Sequence, residues 1–332
     1  GMRSSYPELV STQLPSGLTR TDTMARSAVI PDPSNPFSAT SWTATHTIDG
    51  RTSTTSYDLA TREQVSTSPA GRTLAATFDA KGQVIELSPP DDLPITFVYD
   101  ADGRLVSAAQ GTRVLTAGYG ADGLLASVTD PIDQTSTVTR NARGDVLSAT
   151  RPDLEVTTLA YDGEGHATSI TPPGKPAHTM SFNAIEDLGG YTPPAIAQGN
   201  TQTSYQFDLD RNLDLVQQPG PRTVDVSYDF AGRFAGLTHP TDSIAATYSA
   251  STGHLDTLAS DDVTLSVTRD GPLAKSVSFS GAVAGTVAWI HDTDFRVTSE
   301  TINGASSVAY TYDDDSLLTG AGALTLTRSA TS

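Results

Sequence analysis

The feature that most constrains this chain is an aromatic–aspartate pair that returns every 20 or 21 residues. A fixed period of this length marks one supersecondary unit stacked many times. Tyr99-Asp100-Ala101-Asp102-Gly103-Arg104-Leu105 recurs as Tyr228-Asp229-Phe230-Ala231-Gly232-Arg233-Phe234. Tyr161-Asp162-Gly163-Glu164-Gly165 and Phe78-Asp79-Ala80-Lys81-Gly82-Gln83 are further copies. Looser copies start at Tyr57-Asp58, at Tyr119 with its Gly123, at Arg140, at Phe207-Asp208, at His291-Asp292 and at Tyr312-Asp313. The anchors stand at 57, 78, 99, 119, 140, 161 and 182, then at 207, 228, 248, about 267, 291 and 312. The long steps, 182 to 207 and 267 to 291, predict extended loops at one end of the repeat array.

One repeat reads as one β-hairpin. In the segment from Ile95 to Tyr99, Ile95, Phe97 and Tyr99 share one face of an extended chain, and Thr96 and Val98 the other. Asp100 suits the first position of a type I turn, where its carboxylate accepts from main-chain N–H groups further on. Gly103 suits the position that needs positive φ. A 21-residue period leaves roughly 7–8 residues per strand, or about 25 Å. Neighbouring hairpins pair edge to edge, and strand twist coils the resulting sheet. Helical spacing of apolar residues is missing; Phe182 to Gly190 has room for one helical turn. Pro-rich stretches at 89–92, 172–176, 193–194 and 219–221 read as loops.

Composition agrees with strands and turns: hydrophobic residues are 37% and charged residues 17%, with Thr, Ser and Gly filling the rest. A net charge of −18 opposes nucleic acid and anionic membranes. There is no cysteine, which excludes disulfides and thiolate metal sites. No apolar run reaches membrane-spanning length. Gly1-Met2-Arg3 lacks a signal peptide's features and reads as a cleaved tag on an excerpt of a longer protein.

Chemistry-bearing patterns are sparse. The pairs Asp100/Asp102, Asp208/Asp210 and Asp292/Asp294 resemble the opening of a calcium loop, but no closing glutamate follows at the required spacing. Turn shaping is the expected role, and Asp313-Asp314-Asp315 reads as a solvated turn. The six histidines, His46, His166, His178, His239, His254 and His291, form no zinc-type spacing. No nucleophile elbow, acid-protease motif or phosphate loop is present. The expectation is therefore no enzyme, no cofactor and no metal site. The tyrosines have two readings: a ring ladder that stabilises the sheet, or a glycan-binding surface, for which Trp42 and Trp289 are the only tryptophans. Arg72, Arg104, Arg233 and Arg296 sit just after turns, in reach of turn aspartates.

On these residues the chain resembles the YD-repeat family, which includes bacterial Rhs proteins, the C components of Tc toxins, and teneurins. Ser68-Pro69-Ala70-Gly71-Arg72 is similar to that family's SPxGR phrase. The stretch from Thr171 to His178, followed by Tyr191-Thr192-Pro193-Pro194, is similar to its PPGxPxH and YxPP phrases. The resemblance implies an all-β fold of tandem antiparallel hairpins of about 21 residues, forming one long curved or spiralling sheet. It divides the chain into an irregular or edge segment, 1–56, and a repeat sheet, 57–332. It implies a non-catalytic wall of a shell that encloses and helps deliver a C-terminal toxin or effector, secreted or at the cell surface. The implied partner is the rest of the parent chain, including that effector. The family's DPxGR-type core with its self-cleaving aspartate has no counterpart here. The alternative is a recognition module for glycans or a cell-surface protein. Cut strand edges predict an edge-mediated oligomer.

Overall fold

The computed structural model describes residues 8–194 and 201–328. Apart from one 3-10 turn, Pro36–Ser38, every regular element among them is a β-strand. The chain divides into two compact units, residues 1–112 with 266–332, and residues 113–265.

In the first unit, β1 (Leu9–Gln13), β2 (Thr19–Val29), β3 (Ser41–Ile48) and β4 (Arg51–Asp58) pair antiparallel in chain order. The pairing therefore starts well upstream of Tyr57, in the stretch read as irregular or an edge. β3 and β4 match over eight residues each, from Ser41↔Asp58 to Ile48↔Arg51. The meander continues through β5 (Glu63–Thr67), β6 (Thr73–Phe78), β7 (Val84–Ser88), β8 (Ile95–Tyr99) and β9 (Leu105–Gln110). The same unit holds a second run, Leu273–Gly281, Gly285–His291, Val297–Ile302, Ser306–Tyr312 and Leu318–Ala321, paired in the same way. In the second unit, fourteen strands from Arg113–Tyr119 to Leu255–Ser260 repeat the pattern.

Most repeats reverse through a five-residue turn, opened by the aspartate or, at 120, 141 and 183, by Gly120, Asn141 or Asn183. The Asp100 N–H donates to the Arg104 carbonyl (2.9 Å), and the Gly103 N–H donates back to the Asp100 carbonyl (3.1 Å). Asp100 Oδ1 accepts from the N–H groups of Asp102 and Arg104. The register slips by one residue just before the aromatic, as at Val98/Tyr99, Ala160/Tyr161, Ser227/Tyr228 and Thr311/Tyr312, a β-bulge that bends the strand. The turn at Tyr57-Asp58 lacks this slip: Tyr57↔Gln64 and Asp58↔Glu63 remain in register. Five-residue turns also close many connections between repeats, such as Ser68 to Arg72 and Arg151 to Glu155. Turns at both ends shorten the strands to mostly five or six residues, below the seven or eight expected.

Two other expectations are corrected. Phe182 ends a strand, and Asn183 to Asp187 form an aspartate-type turn with no helix. The long step from 267 to 291 contains no extended loop. Its length comes from strands Val263–Asp270 and Leu273–Gly281, joined by a two-residue turn. The step from 182 to 207 includes 195–200, which lie outside the described residues.

Gly103 (φ 83°) and Gly165 (φ 103°) occupy the left-handed fourth position of the turn. Where glycine is replaced, the backbone keeps that conformation: Arg211, Phe295 and Ser316 have φ of 66°, 66° and 65°. Leu154 (φ 66°) does the same in a connecting turn, with its side chain 79% exposed. Leu154→Gly removes the left-handed penalty at no packing cost, against the entropy glycine adds to the unfolded chain. It is expected to raise stability by about 0.5–1 kcal/mol. Chemical denaturation checks this, and a variant less stable than the parent would contradict it.

The sheet has almost no packed core. Among the described residues only Leu14 and Ala76 are buried apolar side chains. Burial alternates along strands such as Ile95–Tyr99, where Ile95, Phe97 and Tyr99 are half-buried and Thr96 and Val98 exposed. Cross-strand hydroxyl pairs, including Thr47–Thr52, Thr139–Ser148 and Thr247–Thr257, supply part of the cohesion a core would give.

Candidate functional site: the turn rims and an arginine–aspartate seam

Aspartate turns lie at one end of the strands and connecting turns at the other, so each run of hairpins has two rims. Aspartate turns on these rims are braced by the fifth residue. Asp100 Oδ2 accepts from Arg104 Nε at 2.8 Å, Asp229 from Arg233 at 2.8 Å and Asp292 from Arg296 at 2.9 Å. Asn212 and His166 take the same place against Asp208 and Asp162. Hydrogen bonds from the Gln83 N–H hold Asp79 below the usual carboxylate range, and those from Arg104 and Arg233 do the same for Asp100 and Asp229.

The tyrosines join repeats rather than only lining a face. Tyr99 hydroxyl donates to the Val84 carbonyl (2.9 Å), Tyr161 to Val146 (3.0 Å), Tyr228 to Leu213 (3.1 Å) and Tyr312 to Val297 (2.7 Å). The acceptor each time opens the second strand of the preceding repeat. Arg233 lies over the Tyr248 ring at 4.3 Å and Arg296 over Tyr312 at 4.7 Å, so arginine of one repeat caps tyrosine of the next. Ring-on-ring contact occurs at Trp42–Tyr57 (6.1 Å) and Tyr57–Phe78 (6.0 Å).

Within the first unit, the two runs of hairpins meet rim to rim. Three connecting turns of the early run dock, in order, on three turns of the late run. The Ser16 N–H donates to Asp270 Oδ1 at 2.9 Å, across 254 residues. Arg51 pairs with Asp294 and donates to the Asp314 carbonyl (3.1 Å) and to Ser316 Oγ (3.0 Å). Arg72 spans Asp313 (2.8 Å) and Asp315. Ser68 Oγ and the Ala70 N–H complete the Asp315 carboxylate at 2.7 Å each. The Arg72–Asp315 contact links positions 243 residues apart, and Arg51 and Asp294 have the same separation.

This seam corrects the reading of Asp313-Asp314-Asp315 as a solvated turn: the Asp315 side chain is only 10% exposed and Arg72's 14%. Asp102 and Asp294 hold the same third position of their turns, yet Asp102 is 73% exposed and Asp294 9%. Arg51 was not singled out from the sequence. Its only signal is the spacing to Asp294, equal to that of Arg72 to Asp315.

Burial pushes the Asp313 and Asp315 carboxyls up, but hydrogen bonds outweigh it. For Asp313 the donors are the Leu317 N–H and Arg72; for Asp315 they are Ser68, Ala70 and Arg72. Both end below their ordinary value. The stability they contribute is complete above the unfolded-state aspartate value of about 3.9 and is lost as pH falls through the depressed folded values. The unfolding midpoint is expected to hold from about pH 7 to 5 and to drop only below about pH 4. A thermal melt series showing loss of stability between pH 7 and 5 would contradict this.

No group of three His, Cys, Asp or Glu side chains stands together to hold a metal among the described residues. His46 meets Asp22 (3.2 Å), and His178 meets the Tyr191 hydroxyl (2.6 Å). Trp42 and Trp289 are half-buried, Trp42 stacked on Tyr57 and Trp289 donating to Glu300. Neither is an exposed platform of the kind a glycan site uses.

The family model described as Teneurin YD-shell matches residues 11–332. Among solved structures, a chain of "Crystal Structure of TcdB2-TccC3-TEV" is similar at 14% identity and a TM-score of 0.66. The match covers 91% of this chain and 19% of that one, and it shows the same fold. A chain of a Photorhabdus luminescens Tc holotoxin pore structure aligns over 91% of this chain and 24% of its own length, at 12% identity and a TM-score of 0.39. No curated protein matches. The chain thus spans about a fifth of the first solved chain it resembles.

Proposed function

Because this chain belongs to the teneurin YD-shell family, we propose that it is a non-catalytic wall segment of a longer polypeptide whose sheet encloses a C-terminal toxin or effector. The observation that carries this reading is the rim-to-rim seam in a sheet without a packed core. A chain that folds to surround its own side chains buries them. This one encloses few side chains among the described residues and uses Arg51 and Arg72 to join hairpins 243 residues apart. Such joints extend a surface, which is what a container requires. The same reading makes the parent a protein exported from the cell, secreted or at the cell surface, with the rest of its own chain as principal partner.

The test uses the full-length parent with a protease site placed in the segment C-terminal to the repeats. Encapsulation predicts resistance under native conditions and rapid cleavage once guanidinium unfolds the wall. Native cleavage as fast as that of the isolated C-terminal segment would overturn the proposal.

A further inference from the structure

We propose that Arg222 is one half of a second seam, and that in the longer polypeptide it grips the carboxylate of an aspartate turn in another course of repeats. This rests on the reading of the chain as one segment of a wall. The template is the Arg72 joint. Ser68-Pro69-Ala70-Gly71-Arg72 is a connecting turn closed by the Ser68 N–H to the Arg72 carbonyl at 2.8 Å. Gln218-Pro219-Gly220-Pro221-Arg222 is a connecting turn closed by the Gln218 N–H to the Arg222 carbonyl at 2.9 Å. Proline is second and arginine last in both. The strands that follow, Thr73–Phe78 and Thr223–Tyr228, both begin with threonine and end with the aromatic of an aspartate turn.

The surroundings differ. The Arg72 side chain is enclosed between Asp313 and Asp315. Arg222 is exposed, and among the described residues its guanidinium meets no carboxylate. Its turn is nonetheless held in shape: Gln217 Nε2 donates to the carbonyls of Gln218, Gly220 and Arg222 at 3.3, 3.2 and 3.0 Å. A preformed turn carrying a solvated cation, in a chain of net charge −18, suits a carboxylate partner and loses little entropy on meeting one.

The opposite rim of the same unit shows the complementary half. In the seam, the carboxylates Asp294 and Asp315 stand at the third position of their turns. Asp122, Glu164 and Asp210 occupy that third position in turns 120–124, 162–166 and 208–212, and all three are exposed. Residues 113–265 therefore present an arginine on one rim and third-position carboxylates on the other, the two chemistries that meet in the first unit. The first unit's separation of 243 residues puts the partner of Arg222 beyond residue 332. The occupant is an aspartate turn of the parent chain with an acidic third residue.

The experiment places Arg222→Glu in two contexts, the full-length parent and the 332-residue chain alone. In the parent, the thermal midpoint is expected to fall by about 2 °C or more, and Arg222→Lys to lower it less, because an ammonium keeps the charge but lacks the planar fork that holds a carboxylate at both oxygens. In the isolated chain, Arg222→Glu is expected to leave the midpoint unchanged, because among the described residues no carboxylate meets the guanidinium. An unchanged parent midpoint overturns the proposal, as does an equal fall in both contexts. A wild-type isolated chain that sediments as a dimer dissociated by Arg222→Glu also overturns it, making a second copy the occupant. If the parent's C-terminal segment proves unprotected from protease while Arg222→Glu still destabilises the parent, the encapsulation reading fails and the seam stands.

Discussion

Arg72→Glu is expected to lower the thermal midpoint of the chain by about 5 °C or more, the largest effect of any single charge change in the first unit. Among the described residues, Arg72 is the cation that pairs with both Asp313 and Asp315 across the seam. Its replacement by glutamate brings a third carboxylate against two that are largely enclosed. Asp315 would keep the Ser68 hydroxyl and the Ala70 N–H but lose its counter-charge. Arg72→Lys should fall between, since a point charge cannot serve two carboxylates in fixed geometry. Arg104→Glu is the control. Arg104 braces its own turn through Asp100 and the 73%-exposed Asp102, and a surface pair of this kind contributes little. Thermal unfolding followed by far-UV circular dichroism checks the order. If Arg72→Glu melts with Arg104→Glu, the seam carries no stability.

The second large effect lies in the tyrosines. Tyr312→Phe is expected to cost about 1 kcal/mol, the ordinary net contribution of one hydrogen bond. Tyr312→Ala should cost roughly 3 kcal/mol, because the ring goes as well. The hydroxyl reaches the Val297 carbonyl at 2.7 Å and the ring sits beneath Arg296 at 4.7 Å. In a sheet with so few buried side chains, a half-buried ring anchored at both ends takes the place of a core residue. Urea titrations of the two variants separate the contributions. Equal loss in Tyr312→Phe and Tyr312→Ala would assign the whole effect to the hydroxyl, and no loss in either would remove the tyrosine from the account.

What could be read from the sequence was local. Asp100 and Gly103 define their turn through positions two to four residues away, so composition and spacing suffice to place them. The alternation from Ile95 to Tyr99 is equally local, and the structure follows it residue by residue. Failures came where the deciding partner lies far along the chain. Asp102 and Asp294 are the same residue at the same turn position, and nothing near either distinguishes an exposed carboxylate from an enclosed one. Arg51 and Ser16 give no local signal either, because their partners lie 243 and 254 residues away. Before Tyr57 the aromatic–aspartate signal is absent, and the strands there had no such mark in the sequence. β3 and β4 pair through Thr, Ser and Trp42 without that turn chemistry. The stretch between 267 and 291 reached its length by extending strands, and spacing alone cannot separate that from a loop.

Amide hydrogen exchange, resolved by peptide along the whole chain, reads out whether paired hairpins without a covering layer carry the fold. Protection is expected in every strand from β2 to Ser306–Tyr312, at comparable levels in 19–58 and in later repeats. Slow exchange is also expected of the Arg104, Arg233 and Arg296 amides, which donate to turn aspartates. Strong protection confined to one block of the chain, with the remaining repeats exchanging at the rate of unfolded peptide, would contradict this.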